Sequence, residues 1–486
     1  MLFNSYEFIF AFLPITLLGY FIFNHFHKNS IAKGWLVLCS LFFYGYFNFS
    51  YLWIILTSIA VNYLISFYFE KNKTPQKTML RKVLFGLGLA LNIGLLFFYK
   101  YLDFIFDTVG NIFNSDPIHL GLILPLGISF FTFQQVSFLI DSYRGQAKTY
   151  NILDYSLFVT FFPQLIAGPI VLHSEVIPQF ENPKNLRFNM DNFAKGLFVF
   201  SRGIAKKVLV ADNFGKIVSF GYANISGLSS FEAILTILAY TFQIYFDFSG
   251  YCDMASGIAY MFNIELPMNF NSPYKARNIS DFWKRWHMTL TRFLTHYIYF
   301  PLGGSRCSTV RTCFNILVVF LVSGIWHGAG FTFILWGLMH GIAQVIYRLL
   351  RKPIDRIPYA ITWFVTFAFV NLAWVYFRAE TITDANNMIM HIFNGGFTLN
   401  FEISETLLNI VPISIVTNIL DFNGILNIVM IAIMVATTAI CLFTRNVQEK
   451  ARLFRPKFSN LLSSGVLLIW SILSLSGVST FLYFNF

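Results

Sequence analysis

Apolar stretches, separated by short polar loops, follow one another along nearly the whole chain. They cover about residues 8–23, 35–47, 52–69, 359–377, 425–443 and 461–482. Most of them approach the roughly 20 residues that a helix needs to cross the hydrocarbon core of a bilayer. The pattern therefore predicts an all-α polytopic membrane protein.

Two central stretches, residues 120–140 and 157–172, are less regular because prolines and glycines interrupt them. These residues are Pro125, Gly127, Pro163, Gly168 and Pro169. Such interruptions leave backbone groups that lipid cannot satisfy, so the segments are expected to be buried in protein or to line a cavity. We interpret them as broken or re-entrant segments that wall an internal chamber; two kinked spanning helices are the alternative.

The composition supports the membrane class. Of 486 residues, 56% are hydrophobic and only 12% are charged, whereas about a quarter of a soluble protein is charged. We therefore predict one transmembrane domain over residues 1–486, without a separate water-soluble domain. The five cysteines form no Cys-x-x-Cys pair, so no metal site and no disulfide framework are indicated.

The net charge of +11 comes largely from basic residues in short loops between the apolar stretches. The main basic loops are residues 25–33, 71–82, 348–356 and 445–457. Loops of this kind mark the cytoplasmic face of a membrane, so this charge indicates orientation and no nucleic-acid partner. Counting the stretches between these loops predicts that both termini are extracytoplasmic. No basic residue precedes the first stretch and no cleavage pattern follows it, so a signal peptide is not expected.

Charged and titratable residues also occur among the central apolar stretches. Asp247 and Asp253 lie at apolar depth, and we expect them to be structural partners of buried cations or helix ends rather than catalysts. Residues 282–296 have the spacing of a basic amphipathic helix, with Phe282, Trp286, Leu290 and Phe293 on its apolar face. With Arg306 and Arg311 nearby, it suits a phosphate-bearing ligand, although a bias of basic residues towards the cytoplasm explains the charge equally well.

His327 is the strongest candidate for a functional residue. It lies within residues 312–347, which contain no Asp, Glu, Lys or Arg, and an imidazole is costly to place in such a segment. A neutral histidine hydrogen-bonded between helices is the alternative. A helix from Arg311 to His327 would be about 24 Å long, so we predict that His327 lies deep in the membrane or near its outer boundary, at the tip of a helical hairpin. His287 would be reached from the cytoplasmic side.

Several motifs in the same order resemble those of the membrane-bound O-acyltransferase family. They are DFWKRWH at 281–287, YFPLGG at 299–304, SGIWHG at 323–328, LIAGPI at 165–170, YFDFSGY at 245–251 and WVYFRA at 374–379, together with the opening MLFNS. Within the family, the chain is most similar to the bacterial branch of alginate and peptidoglycan O-acetyltransferase membrane subunits.

The resemblance implies about eleven or more transmembrane helices plus re-entrant segments around a central funnel. The motif-bearing core would span about residues 120–348, with peripheral helices in 1–100 and 359–486. It also implies a multi-pass protein of the bacterial cytoplasmic membrane, in contact with membrane lipid. Its activity would be to move an acetyl group from cytoplasmic acetyl-CoA across the membrane for O-acetylation of a cell-surface polysaccharide, peptidoglycan or alginate-like.

Residue by residue, the resemblance matches the family's near-invariant histidine to His327 and its second motif position to His287. We expect His327 to be the general base, and His287 to orient the donor or polarise its carbonyl. Lys284 and Arg285 are candidates to contact the phosphates of coenzyme A, and Trp326 is a further candidate contact for the donor.

The resemblance further implies an extracytoplasmic SGNH-type partner that completes transfer to the polysaccharide acceptor. A D-alanyltransferase for teichoic acids, using a carrier-protein thioester, is the alternative within the family. A polysaccharide transporter or flippase is the alternative in another class, because broken helices with intramembrane polar residues are typical of transporters.

Overall fold

The computed structural model describes residues 1–72, 78–116, 119–148, 150–396, 423–475 and 481–482, with no account of the side chains of residues 423–427. Within these ranges, every regular element is a helix. The α-helices are α1 (Leu13–His25), α2 (Asn29–Gly45), α3 (Leu52–Lys71), α4 (Met79–Phe113), α5 (Ile128–Tyr143), α6 (Ile152–Thr160), α7 (Phe162–Leu165), α8 (His173–Glu181), α9 (Met190–Ala205), α10 (Asp212–Ala223), α11 (Ser230–Met261), α12 (Ile279–Trp283), α13 (Met288–Leu294), α14 (Thr309–His327), α15 (Phe331–Leu349), α16 (Arg351–Ile354), α17 (Tyr359–Arg378), α18 (Ile382–Asn394), α19 (Asn423–Phe443), α20 (Val447–Arg452) and α21 (Phe458–Leu473). Helices of the π type lie at Phe8–Phe12, Lys206–Ala211 and Thr295–Tyr299, and 3₁₀ turns lie at Phe49–Tyr51, Pro183–Leu186, Ile225–Gly227 and Pro273–Lys275.

Five helical segments within the described ranges are long and apolar enough to cross a membrane. They are Phe8–His25, Phe49–Lys71, Met79–Phe113, Thr309–His327 and Tyr359–Arg378. Two shorter apolar helices, Ile428–Phe443 and Phe458–Leu473, come near the end of the chain. The predicted all-α polytopic membrane class is therefore confirmed.

The described chain forms two compact units. Unit 1 contains Met1–Ser201, Tyr251–Met268 and Phe454–Ser464, and unit 2 contains Arg202–Gly250, Asn269–Leu453 and Gly465–Phe486. The sequence-based assignment of one domain over residues 1–486 stays a prediction.

Unit 1 contains the two interrupted segments. Gly127, at φ 72°, precedes α5, and a Cβ there would lie 2.8 Å from the carbonyl oxygen of Leu165. Only glycine fits such a left-handed position with backbone this close. In the second segment, Phe161 leaves the helical conformation between α6 and α7, and α7 ends at Leu165. Both stretches are broken, as their prolines and glycines indicate.

Arg81, in the polar segment at 71–82 that was predicted to be a basic loop, lies in the first turn of α4 and is buried. Its guanidinium donates to the carbonyl oxygens of Phe69, Asn72 and Tyr143 at 2.8, 3.1 and 2.9 Å. These carbonyls end α3 and α5, and a cation is favourable beside the carbonyl ends of helices. Arg81 therefore ties three helices of unit 1 together. Lys73 and Lys77 of this loop, and residues 476–480 of the last predicted stretch, lie outside the described residues.

Candidate active site

The α14–α15 hairpin of unit 2 places His327 at its tip. Helix α14 ends at His327 and α15 begins at Phe331, so the connection is three residues long. Gly324 and Gly337 lie directly against the backbone of the facing helix. A Cβ on Gly324 would lie 2.4 Å from the Phe333 carbonyl oxygen, and one on Gly337 would lie 2.5 Å from the Phe320 carbonyl oxygen. Glycine pairs allow this backbone approach between membrane helices. The predicted hairpin is confirmed.

The hydrogen bond of His327 determines which ring nitrogen can act as a base. The imidazole is 3% exposed, and its Nδ1 lies 2.6 Å from the Ser323 carbonyl oxygen. Since a carbonyl oxygen only accepts, Nδ1 carries the proton. In the neutral ring, Nε2 then carries the lone pair, as a general base requires.

The segment with the second histidine differs from its prediction. We expected one amphipathic helix over 282–296, but α12 ends at Trp283 and α13 begins only at Met288. His287 stands between them at φ 43°, in the left-handed region. The prediction of one continuous helix was wrong because the chain turns between Trp283 and Met288. The spacing of the apolar residues gave no sign of this turn.

Asn269 holds the His287 side chain. The side-chain oxygen Oδ1 of Asn269 lies 3.2 Å from His287 Nδ1 and accepts from the backbone N–H and hydroxyl of Thr289 at 3.2 and 2.9 Å. The backbone N–H of Thr289 can only donate, which identifies this Asn269 atom as the oxygen. His287 Nδ1 is therefore the donor, and its neutral Nε2 carries the lone pair, as in His327.

Aromatic rings bring the two histidines into one cluster. The Trp326 ring lies 6.1 Å from the His287 ring and 4.8 Å from the His327 ring. Trp336 and Phe377 lie 4.9 and 5.3 Å from His327. Thus the structure gathers His287, Trp326 and His327 among bulky aromatic rings.

The basic candidates next to His287 lie in different surroundings. Lys284 is exposed. Arg285 is paired with Asp281 at 2.8 Å and also contacts the Asn271 carbonyl oxygen at 3.3 Å. Neither residue is among the described residues that line the cavity found in unit 2. Their role as phosphate contacts stays a prediction.

A cavity of about 1700 Å³ lies in unit 2 close to this cluster. Ala329, Gly330 and Phe333 of the hairpin turn line it, and so does Phe377. Because the Phe377 ring also contacts the His327 ring, one aromatic side chain joins the cavity to the candidate base.

Asp247 has the structural role that its apolar setting indicated. One carboxylate oxygen lies 2.7 Å from the Nζ of buried Lys207, and the other accepts from the Leu482 backbone N–H at 3.1 Å. Lys207 also pairs with Asp212 at 2.7 Å. A charge buried at this depth must be paired, and this group satisfies that requirement within unit 2.

Two residues of the cluster were missed by sequence reasoning. Asn269 precedes His287 by 18 residues, and its polar side chain carried no motif signal. His340 is fully buried in α15, and its Nδ1 accepts from the Trp283 indole at 3.3 Å. The sequence did contain a signal for His340, because His340 lies in the same uncharged segment that singled out His327.

Comparisons with known proteins identify the family. The family model of the membrane-bound O-acyltransferase family matches residues 41–382, and the chain belongs to this family. The protein is therefore a membrane-bound acyltransferase.

Its relatives include the peptidoglycan O-acetyltransferase of Helicobacter pylori, 43% identical over 100% of this chain and 98% of that protein. The protein named probable alginate O-acetylase AlgI in Pseudomonas aeruginosa is 36% identical over 83% of this chain and 76% of its own length. The teichoic acid D-alanyltransferase of Bacillus subtilis is more distant, at 26% identity over 54% of this chain and 71% of its own length.

Proposed function

We propose that the protein is the membrane subunit that O-acetylates a cell-surface polysaccharide, with peptidoglycan favoured over an alginate-like polymer. The observation that carries this proposal is the similarity to a peptidoglycan O-acetyltransferase over the full length of both chains. The alginate O-acetylases match less of this chain and at lower identity. The donor would be acetyl-CoA on the cytoplasmic side, and the acceptor a hydroxyl group on the other side.

His327 would act as the general base of the transfer step. Its Nε2 takes the proton of the acceptor hydroxyl while the hydroxyl oxygen attacks the thioester carbonyl carbon. The new C–O bond replaces the C–S bond, and the thiolate leaves and takes the proton back from Nε2. Base catalysis of this kind typically contributes about 10²- to 10⁴-fold, and the Ser323 carbonyl presents the required tautomer.

The tautomer of His287 favours one of the two roles considered for it. With Nδ1–H donating to Asn269, a neutral His287 has no N–H left to donate to a thioester carbonyl. Its Nε2 can instead accept from an amide N–H of the donor or from the acceptor hydroxyl. We therefore assign His287 to orienting a substrate rather than polarising the carbonyl.

The transfer across the membrane would be completed by a partner. An extracytoplasmic protein of the SGNH type would receive the acetyl group on a hydroxyl and pass it to the polysaccharide. The predicted position of His327, deep in the membrane or near its outer boundary, suits such an acceptor.

The test measures base-labile acetate on purified peptidoglycan and, separately, on exopolysaccharide. A strain lacking the protein is complemented with wild type, with His327→Ala, or with His119→Ala at matched membrane levels. His119 is a surface histidine whose side chain is 62% exposed, so it controls for loss of an imidazole as such.

We expect acetate to be lost from peptidoglycan with His327→Ala and retained with His119→Ala. Loss of acetate from exopolysaccharide alone would show that the acceptor is the exopolysaccharide and not peptidoglycan. Near-normal acetate with His327→Ala would refute the role of His327 as general base. Unchanged acetate in the strain that lacks the protein would refute acetylation of either polymer by this protein. In that last case D-alanine esters on teichoic acid become the measurement.

A further inference from the structure

Two buried N–H groups of α15 have no acceptor in the described part of the chain. Trp336 and His340 are fully buried on the inner face of this helix, and neither Trp336 Nε1 nor His340 Nε2 has a hydrogen-bond partner among the described residues. A buried donor without an acceptor costs free energy, and such groups are rare in folded proteins. Where one persists, it points to a bound water, a ligand or a catalytic role.

A hydrogen bond from Trp283 fixes the proton of His340 on the nitrogen without a partner. The Trp283 indole donates to His340 Nδ1 at 3.3 Å, and an indole N–H can only donate. Nδ1 therefore carries the lone pair, and the proton of the neutral ring is on Nε2. His340 thus has the opposite tautomer to His327 and His287, which both carry the proton on Nδ1.

The described neighbours of the two donors are mainly aromatic rings. The Trp336 ring lies 5.8 Å from the Trp374 ring, and the His340 ring lies 5.3 Å from the Phe369 ring. The face of an aromatic ring accepts an N–H only weakly. Residues 312–347 contain no Asp or Glu, so the hairpin itself supplies no carboxylate. The two N–H groups therefore suit an oxygen atom that a ligand brings.

The two donors follow one another along the hairpin from His327. The Trp336 ring lies 4.9 Å from the His327 ring and also 4.9 Å from the His340 ring. In acyl transfer, the attacking atom is about 3 Å from the carbonyl carbon, and the donors are about 3 Å from the developing oxyanion. Donors that serve this step must therefore lie within several ångströms of the base, as the Trp336 ring does.

The transfer step needs donors that His327 and His287 do not supply. Both offer a lone pair at Nε2, because their Nδ1 protons are already engaged. When a hydroxyl attacks the thioester, the carbonyl π electrons move to the oxygen, and N–H groups held in place in advance stabilise the charge that develops there. Trp336 and His340 present such groups in the protein interior, where hydrogen bonds are stronger than in water.

We propose that Trp336 Nε1–H and His340 Nε2–H bind the carbonyl oxygen of the acyl donor and stabilise the oxyanion formed in the transfer. The charge leaves this oxygen when the C=O bond re-forms and the C–S bond breaks, while the hydroxyl proton passes through His327 Nε2 to the thiolate. Trp283 is a positioning residue that holds the tautomer of His340. The inference rests on the thioester transfer of the proposed function, whichever acyl group is moved.

The first test compares two tryptophan-to-phenylalanine variants of the full-length protein in membranes. Trp336→Phe keeps an aromatic ring beside His327 and removes the N–H. Its control is Trp363→Phe, because the Trp363 indole, also in unit 2, donates to the Tyr274 carbonyl oxygen at 2.8 Å. Transfer of labelled acetate from acetyl-CoA is normalised to folded protein, and melting temperatures are measured in detergent.

We expect Trp336→Phe to lower kcat about 10²-fold or more, the typical effect of removing one oxyanion donor. KM should be unchanged, because the full bond forms only in the transition state. Trp363→Phe should lower the melting temperature and leave kcat per folded molecule unchanged. Near-normal kcat with Trp336→Phe overturns the proposal, and a lower melting temperature with that normal kcat is the result for an indole that only holds a structural water.

The second test separates hydrogen-bond donation by His340 from proton transfer. In His340→Gln, the amide can still accept from Trp283 and donate, but it cannot titrate, whereas His340→Met makes neither bond. We expect transfer per folded molecule to be about tenfold or more higher in His340→Gln than in His340→Met, with the pH profile of the wild type. Equal transfer by the two variants, or a changed pH profile in His340→Gln, overturns the role assigned to His340.

Failure of this inference can be told apart from failure of the proposed function. A wild-type protein that transfers nothing from acetyl-CoA refutes the proposed function, and the same variants are then compared with a carrier-protein D-alanyl thioester. A wild type active on either thioester, with Trp336→Phe equally active, overturns the inference alone. A wild type active on neither overturns both.

Discussion

Asn269 should control the rate through the tautomer of His287. In Asn269→Ala, the His287 Nδ1–H and the two donors of Thr289 lose an acceptor at 2.9 to 3.2 Å. All three residues are buried. An unsatisfied buried donor costs about 1–3 kcal/mol, so we expect the protein to be destabilised by about 3 kcal/mol or more.

The effect on the rate is separable from the effect on stability. A hydrogen bond contributes about 1 kcal/mol net, so losing it lowers the preference for the Nδ1–H tautomer of His287 roughly fivefold. We expect acetyl transfer per folded molecule to fall by up to about fivefold, because the population of that tautomer falls by at most this factor. If His287 orients the donor, most of this loss should be in KM.

The assay is transfer of labelled acetate from acetyl-CoA in membranes, normalised to folded protein by thermal stability in detergent. Asn371→Ala is the control, because Asn371 is a buried asparagine of unit 2 that also accepts from a threonine, Thr241, at 2.6 Å. Unaltered transfer per folded Asn269→Ala molecule, with the stability loss present, would show that the tautomer of His287 does not matter.

Two further predictions concern the framework of the site. Gly337→Ala should separate α14 from α15 and abolish transfer, because its Cβ would lie 2.5 Å from the Phe320 carbonyl oxygen. The control Gly94→Ala, whose Cβ would have nothing within 4 Å, should be neutral in stability and activity. Equal melting temperatures for the two variants would contradict the close packing of α14 and α15. Asp247→Asn should destabilise the protein, but by less than the about 3–5 kcal/mol typical of breaking a buried ion pair, because Lys207 keeps its pair with Asp212 at 2.7 Å. Adding Lys207→Met should restore part of that loss. A double variant no more stable than the single one would argue against an ion-pair role.

The sequence by itself determined the class of the protein and its principal histidine. Apolar stretches of membrane length follow from local composition, and an uncharged segment around His327 is visible without any tertiary contact. The hairpin could be predicted for the same reason, since Gly328 and Gly330 interrupt a continuous apolar stretch. Even the engaged state of Asp247 was expected, because burial of a carboxylate requires a partner.

Only the tertiary structure decided how the chemical groups meet. The turn that puts His287 at φ 43° has no signature in hydropathy, because both halves of the segment keep their helical spacing. Asn269 sets the His287 tautomer through contacts made by folding. Periodicity reports which face of a segment is buried, whereas these contacts depend on which buried faces pack against each other, and that is a non-local property of the fold.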